Sequence, residues 1–361
     1  MGHEILIHYQ IYRFIMNRRH FIQGMAMTAA AAACPASAGA FAKEAPQVQT
    51  PQGSSFHNFT FNAQGKFRIM QITDTHYIAG DARSKRAMDN LIQMLDTEKP
   101  DLVIHTGDII FAKPAERSFD ELFAPIIERK IPFAVALGNH DEEFGMSRLE
   151  VYNYLRSKPY CINTPEKGIH GASNDVITLS STDGKKQWVF YLLDTMNRSK
   201  DIKINAYDYL HFDQIQWYRE QSQHFRKENG GTPVPALAFM HIPVFEHLTA
   251  LADSKRKIKG NLQENPCPSL INSGMFSQMQ EMGDVMALFS GHDHDNDYVM
   301  KWQDKYLIYG RYSGCNTVYN NLEGSGCRMI ELTQGQTSFR TYVRVFDKGI
   351  EQDMTLPKDM K

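Results

Sequence analysis

Five times along this chain a short apolar run breaks off into a polar motif, and this repetition restricts the fold more than any other feature. KFRIMQIT leads into DTHY, DLVIHT into GDII, IPFAVAL into GNHD, ALAFM into HIPV, and VMALFS into GHDHDND. Apolar runs of this length, bounded by Gly, Pro or Asp, suit strands buried on both faces. Between the first two, SKRAMDNLIQMLDTEKP spaces Met88, Leu91, Ile92, Met94 and Leu95 as on one face of a helix, closed by Pro100. FDELFAPIIERK reads the same way between the second and third runs. An opening order of β-α-β-α-β argues for parallel strands.

Further on, KQWVFYLLDT reads as a strand, and FDQIQWYREQSQHFRK and MFSQMQEMG read as helices. YLIYGRYSG, CRMIELTQ and TSFRTYVRVF read as antiparallel strands with alternating character. The chain is thus α/β at first and β-rich at its end. No clear linker divides the two parts, so a single domain over residues 65–361 is expected, after a linker and first strand over 43–64. A chain of 361 residues can bury a sizeable core. A formal charge of −2 gives no basic excess, so no stable binding to nucleic acid is expected.

Residues 1–42 differ from the rest. From Met16, a candidate start, the chain runs MNRRHFIQGMAMTAAAAACPASAGAFAKEAP. Arg18 and Arg19 precede a small-residue apolar stretch and then Ala-x-Ala steps, the layout of a cleaved export signal. The stretch is too short and too Ala-rich for a membrane span, so the mature protein is expected to have no transmembrane segment. NRRHFIQG also resembles a twin-arginine signal, and the expected location is periplasmic or extracellular. Cys34 lacks the upstream Leu usual for a lipid anchor. Past the signal, Cys161, Cys267, Cys315 and Cys327 remain. In an oxidising compartment two disulfides are permitted, with Cys315 and Cys327 the favoured pair, and four free thiols are the alternative.

Ligands of α/β sheets gather at the carboxyl ends of the strands. Each polar motif here follows its strand, so Asp74, His76, Asp108, Asn139, His140, His241, His292 and His294 are expected to meet on one rim. Singly, each has an ordinary explanation as a turn, a cap or a packed polar residue; five in order do not. Imidazole and carboxylate suit first-row transition metals, and the absence of clustered thiolates argues against iron–sulfur or structural zinc. The x-separated pairs Asp74/His76 and His292/His294 point each pair to one side of an extended segment. The set holds more ligands than one ion needs, and two ions sharing a carboxylate satisfy the count.

The ordered set DTH, GD, GNHD, H and GHDH resembles the calcineurin-like metallophosphoesterase superfamily, over roughly residues 66–346. The resemblance implies an α/β, four-layer fold: a β-sandwich of two mixed sheets flanked by helices. It implies two divalent or trivalent transition-metal ions (Fe, Zn or Mn), with Asp74, His76 and His294 on the first, Asn139, His241 and His292 on the second, and Asp108 bridging. It further implies hydrolysis of phosphate mono- or diesters by a metal-bound hydroxide, with His140 stabilising phosphoryl oxygens or protonating the leaving group. Asp141 is a candidate to orient His140, and Asn139, His140 and Arg311 are candidates for substrate contact. The substrate would be a phosphorylated small molecule, a nucleotide or a phosphoprotein. The alternatives are a nucleotide or nucleotide-sugar pyrophosphatase using the same site, and a non-catalytic metal-binding scaffold.

KFRIMQITDTHY and GHDHDND further resemble the purple-acid-phosphatase-related branch, with two departures. His76 stands where the true purple enzymes have Gly, and Phe111 where they have the Tyr whose phenolate gives the colour. Asp293 alternates with His292 and His294 and should point away from the ions. Asp295, Asn296 and Asp297 are candidate partners of the histidines. His211 and His247 read as structural or solvated. Substrate choice is expected to rest on loops 142–174 and 246–270.

Overall fold

The computed structural model describes residues 56–201, 203–204 and 206–360. The export-signal reading at residues 1–42 lies outside them. Fourteen strands form two mixed sheets. The six-stranded sheet contains β2 (Lys66–Ile72), β3 (Leu102–His105), β4 (Phe133–Val135), β12 (Gly326–Thr333), β13 (Phe339–Val345) and β14 (Gly349–Leu356), in the order β14-β13-β12-β2-β3-β4. The eight-stranded sheet contains β1 (His57–Thr60), β5 (Asp175–Ser180), β6 (Lys186–Leu193), β7 (Ala236–Met240), β8 (Lys257–Lys259), β9 (Val285–Ser290), β10 (Val299–Trp302) and β11 (Lys305–Tyr309), in the order β1-β5-β6-β7-β9-β11-β10-β8.

Alternation along each strand divides its side chains between two apolar layers. In β2 and β3, Ile69, Leu102 and Ile104 face inward, packing with Phe190, Phe239, Phe289 and Ile330 between the sheets. Met70, Ile72 and Val103 face outward, under helices α1 (Ala82–Glu98), α2 (Ala115–Glu128) and α3 (Arg148–Arg156). On the opposite face, Tyr191, Ala238 and Leu288 pack under α4 (Phe212–Glu228), α5 (Glu246–Ala252) and α6 (Met275–Met282). Strands covered on both sides must be apolar throughout, which is why they read as unbroken runs. The result is helix, sheet, sheet, helix: the four layers expected.

Local signals account for the helix limits. Asp81 caps α1 by accepting from Arg83 N, and Lys99 ends it in a left-handed conformation before Pro100. The α3 helix sits inside the expected loop 142–174 and is announced by a capping box, Ser147 with Glu150, that the loop assignment passed over. Loop 246–270 likewise contains α5 and β8.

Two expectations change. β11 is antiparallel to β10, as expected, but parallel to β9, and it belongs to the eight-stranded sheet rather than to that of β12 and β13, which pair antiparallel. All four described cysteines are free, so the Cys315–Cys327 disulfide is not formed. Cys315 Sγ lies 3.4 Å from Ser325 Oγ, and Cys327 is buried in the layer beneath α1 to α3.

Candidate metal centre

Three parallel strands of one sheet and two of the other end at the same place. β2, β3 and β4 deliver Asp74, His76, Asp108, Asn139 and His140; β7 and β9 deliver His241, His292 and His294. The expected rim is therefore a seam between two sheets rather than the edge of one. Hydrogen bonds cross the seam: Ser313 N donates to Thr73 O at 3.0 Å and His292 N to both carboxylate oxygens of Asp74 at 3.1 Å.

The chain accepts strain to present these side chains. Asp74, His76, Asp108 and His292 all have positive φ, between 39° and 79°. Non-glycine residues avoid that region, and such outliers concentrate at functional sites. Gly107 and Gly138 permit the close approach. A Cβ on Gly107 would lie 2.8 Å from His241 Nδ1, and one on Gly138 would collide with Asp108 Oδ1.

Two groups of buried ligand atoms result, each lying within 4.8 Å of one another: Asp74, His76, Asp108 and His294, and Asp108, His241 and His292. Asp108 belongs to both, its Oδ2 being 3.5 Å from His76 Nε2 and 3.2 Å from His241 Nε2. Asn139 joins the second group, with Oδ1 3.0 Å from His241 Nε2.

Proton placement shows what these groups lack. His241 Nδ1 is 2.7 Å from the Thr106 carbonyl and His294 Nδ1 is 2.8 Å from the Tyr319 carbonyl. A carbonyl only accepts, so both Nδ1 atoms carry hydrogen, and a neutral ring then has its lone pair on Nε2. His241 Nε2 faces Asp108 Oδ2, Asn139 Oδ1 and His292 Nδ1, the last at 3.3 Å. His294 Nε2 faces His76 Nε2 at 3.2 Å and Asp74 Oδ1 at 3.6 Å. Acceptor atoms converge on two points, and a cation at each would reconcile them.

The electrostatics separate the histidines: without a cation beside it His241 is held protonated between carboxylates, whereas His76 and His292 are held neutral. Burial works against a charged His241, but Asp108 and Asp74 outweigh it and raise its pKa to about 9. Burial pushes Asp108 up, yet His241 and His76 hold it well below its ordinary value. Burial keeps His76 and His292 well below theirs, hence neutral, the form that binds metal.

His140 lies at the open side. Its backbone N–H donates to Asp108 Oδ1 at 2.9 Å, and its ring centre is 5.6 Å from that of His76. Its Nδ1 is 2.7 Å from Glu143 Oε2. Asp141 does not orient it. That carboxylate is buried and accepts from Gly138 N and Ile109 N, both at 2.7 Å, and from Asp108 N at 3.2 Å. Asp141 shapes the backbone under Asp108 instead. Glu143 was missed because the contact depends on the turn after Asn139, which its spacing does not announce.

Arg311 does not reach a substrate. It is 1% exposed, pairs with Asp297 Oδ2 at 2.5 Å and donates to the carbonyls of Glu323 and Gly324. The DND residues serve the surrounding loops. Asp293 points away as expected and accepts from Tyr309 Oη and Cys267 N. Asp295 holds Asn321, Asn296 accepts from Gln263 N and Glu264 N, and Asp297 holds Arg311, Asn261 and Gln352. Phe111 packs against His76 and His140, with ring centres 5.5 and 5.8 Å away. His247 is buried against Tyr298, and His211 is stacked on His170 at the start of α4.

The sequence profile described as calcineurin-like phosphoesterase matches residues 67–296. The chain is 31% identical over 301 residues to "Probable inactive purple acid phosphatase 29" of Arabidopsis thaliana, covering 72% of this chain and 75% of that one. Among solved structures, a dimetal phosphatase from Danio rerio superposes with a TM-score of 0.55 at 15% identity, over 80% of this chain and 98% of that one. A purple acid phosphatase from yellow lupin seeds superposes with a TM-score of 0.51 at 13% identity, over 80% and 53%. At such identities the likeness is one of fold.

Proposed function

Because the chain belongs to the calcineurin-like phosphoesterase family, we propose that it is a dimetal-dependent phosphoesterase acting on phosphate mono- or diesters. The observation that carries this is the pair of ligand groups sharing Asp108, with lone pairs converging on two points. In this reading Asp74, His76 and His294 hold one ion, Asn139, His241 and His292 the other, and Asp108 lies between them. Bound ions would supply Lewis acidity, neutralising phosphate charge and lowering the pKa of a water. Fe, Zn and Mn all suit this ligand set.

The chain's own residues do the rest. Burial of His76 and His292 keeps those two imidazoles neutral, the form that would hold an ion. Glu143 engages His140 Nδ1 and leaves Nε2 to hold a phosphoryl oxygen or to give a proton to the leaving oxygen. Asp141 fixes the backbone from which Asp108 and His140 project.

Elemental analysis of the purified protein, with a panel of monoester, diester and pyrophosphate substrates, tests the reading. Turnover that needs metal and falls strongly in His140→Ala, with metal content kept, is the expected result. The name of the Arabidopsis relative includes the word inactive, which favours a metal-binding scaffold as the second reading. Two bound ions without turnover on any substrate class would select it. No helix of the described residues is long and apolar enough to cross a membrane. The layout of residues 1–42 supports export to the periplasm or beyond, and fractionation of cells making the full chain tests that.

A further inference from the structure

Between β6 and α4, residues 197–199 and 206–208 run antiparallel as the two sides of a small hairpin beside His292 of the second ligand group. Arg198 and Tyr207 pair as antiparallel neighbours, with Ser199 N bonded to Ala206 O at 2.9 Å and Asp208 N to Asn197 O at 2.8 Å. Ser269 Oγ donates to the Tyr207 carbonyl at 3.1 Å, tying the hairpin down. The Tyr207 ring stands edge-on to His292, with centres 4.7 Å apart and planes at 85°. Arg198 in turn lies over the Tyr207 ring, its Cζ 5.3 Å from the centre. One exposed guanidinium is thereby placed two ring contacts from the ligand histidine.

That guanidinium forms no ion pair with any described carboxylate, unlike those of Arg148 and Arg311. Stacking occupies its face and leaves its in-plane N–H donors free. A planar fork of free donors beside a phosphoryl site suits a carboxylate or phosphate oxygen pair. The placement is also one-sided: Tyr207 abuts His292 and not the His76–His294 group. We propose that Arg198, held by Tyr207, binds a second anionic group of the substrate, so that this site selects phosphate esters or anhydrides whose leaving group carries a phosphate or carboxylate. This rests on the phosphoesterase reading of the same site for its chemistry, but its test does not require turnover.

The test is calorimetric titration of the Mn-loaded full chain with two inert phosphonates of matched size, propylphosphonate and 3-phosphonopropionate. The wild type should prefer the carboxylate-bearing compound. Arg198→Gln should cut that preference about tenfold, the value of a charge-assisted bidentate contact. Tyr207→Leu should reduce it as well, and Tyr207→Phe should restore it, because the ring rather than the hydroxyl holds the guanidinium. Equal affinity of the wild type for the two compounds, no binding of either, or a preference that survives in Arg198→Gln overturns the proposal. Absence of turnover on ester substrates with the preference intact would count against the hydrolase reading alone.

Discussion

His140 and Glu143 are joined twice, by Glu143 N bonding His140 O at 3.0 Å and by Glu143 Oε2 lying 2.7 Å from His140 Nδ1. One turn of backbone thus brings the histidine its carboxylate partner, and Asp141, between them, is turned the other way. Glu143→Gln should therefore lower kcat about tenfold or more while leaving metal content and Tm near those of the wild type. Asp141→Asn should instead lower Tm and metal content together, since it weakens three backbone contacts beneath Asp108. Steady-state kinetics, metal analysis and thermal melts on the two variants separate these outcomes.

Under the dimetal reading, removing the ions would leave the Asp74, Asp108 and histidine acceptors crowded together inside the protein. Dialysis against a chelator should lower Tm by several degrees, because a ligand held at a hundred times its Kd stabilises by about 2.7 kcal/mol. Readdition of Mn or Zn should restore it. Asp108→Asn should lose ions from both groups, and Asn139→Ala from the second only, as read by elemental analysis.

Phe111 packs against His76 where the purple enzymes place a phenolate. Iron-loaded protein should show no phenolate-to-iron band in the visible. Phe111→Tyr should introduce one, and absorption spectra of the two iron-loaded proteins decide it.

His247 is buried, with Nδ1 on Tyr298 Oη at 2.7 Å and no partner at Nε2. Burial lowers its pKa to about 3. Tyr298 and Tyr309 face it, and burial pushes both phenols up, so both remain neutral. A histidine depressed on folding contributes stability that is whole above its unfolded value, near 6.5. That contribution is lost as pH falls towards the folded value. Stability should thus decline between about pH 6.5 and 3, by on the order of a few kcal/mol from this group. His247→Gln, which cannot titrate, should flatten that decline in denaturant melts run across the range.

Arg311 and Arg328 are both buried around Asp297. Arg311→Met leaves that carboxylate short of a partner and should cost about 3–5 kcal/mol of stability. The folded fraction should keep its KM, because the guanidinium faces loop carbonyls and not the ligand groups. Denaturant unfolding with kinetics below the transition checks both halves of this.

The positions of the candidate ligands were legible because each follows a strand too apolar to be anything but buried. DTH, GD, GNHD, HIP and GHDH could then be placed by strand ends alone. What escaped depends on how loops close. Arg311 looked free in sequence, but the segment carrying Glu323 and Gly324 folds over it. Asp141 adjoins His140 in the chain, yet adjacent residues in a tight turn point apart, and the partner proved to be three residues on. The assignment of β11 to one antiparallel tail with β12 and β13 held only in part, since it pairs antiparallel with β10 but parallel with β9 in the other sheet; alternation identifies a strand without naming its neighbours.

Asp74 and His292 lie 218 positions apart and in different sheets, as do His76 and His294. A growing chain offers the first candidate ligands long before the last exist, and neither group is complete until both sheets have closed on each other. Under the dimetal reading, ions would be taken up only after the second sheet has docked on the first.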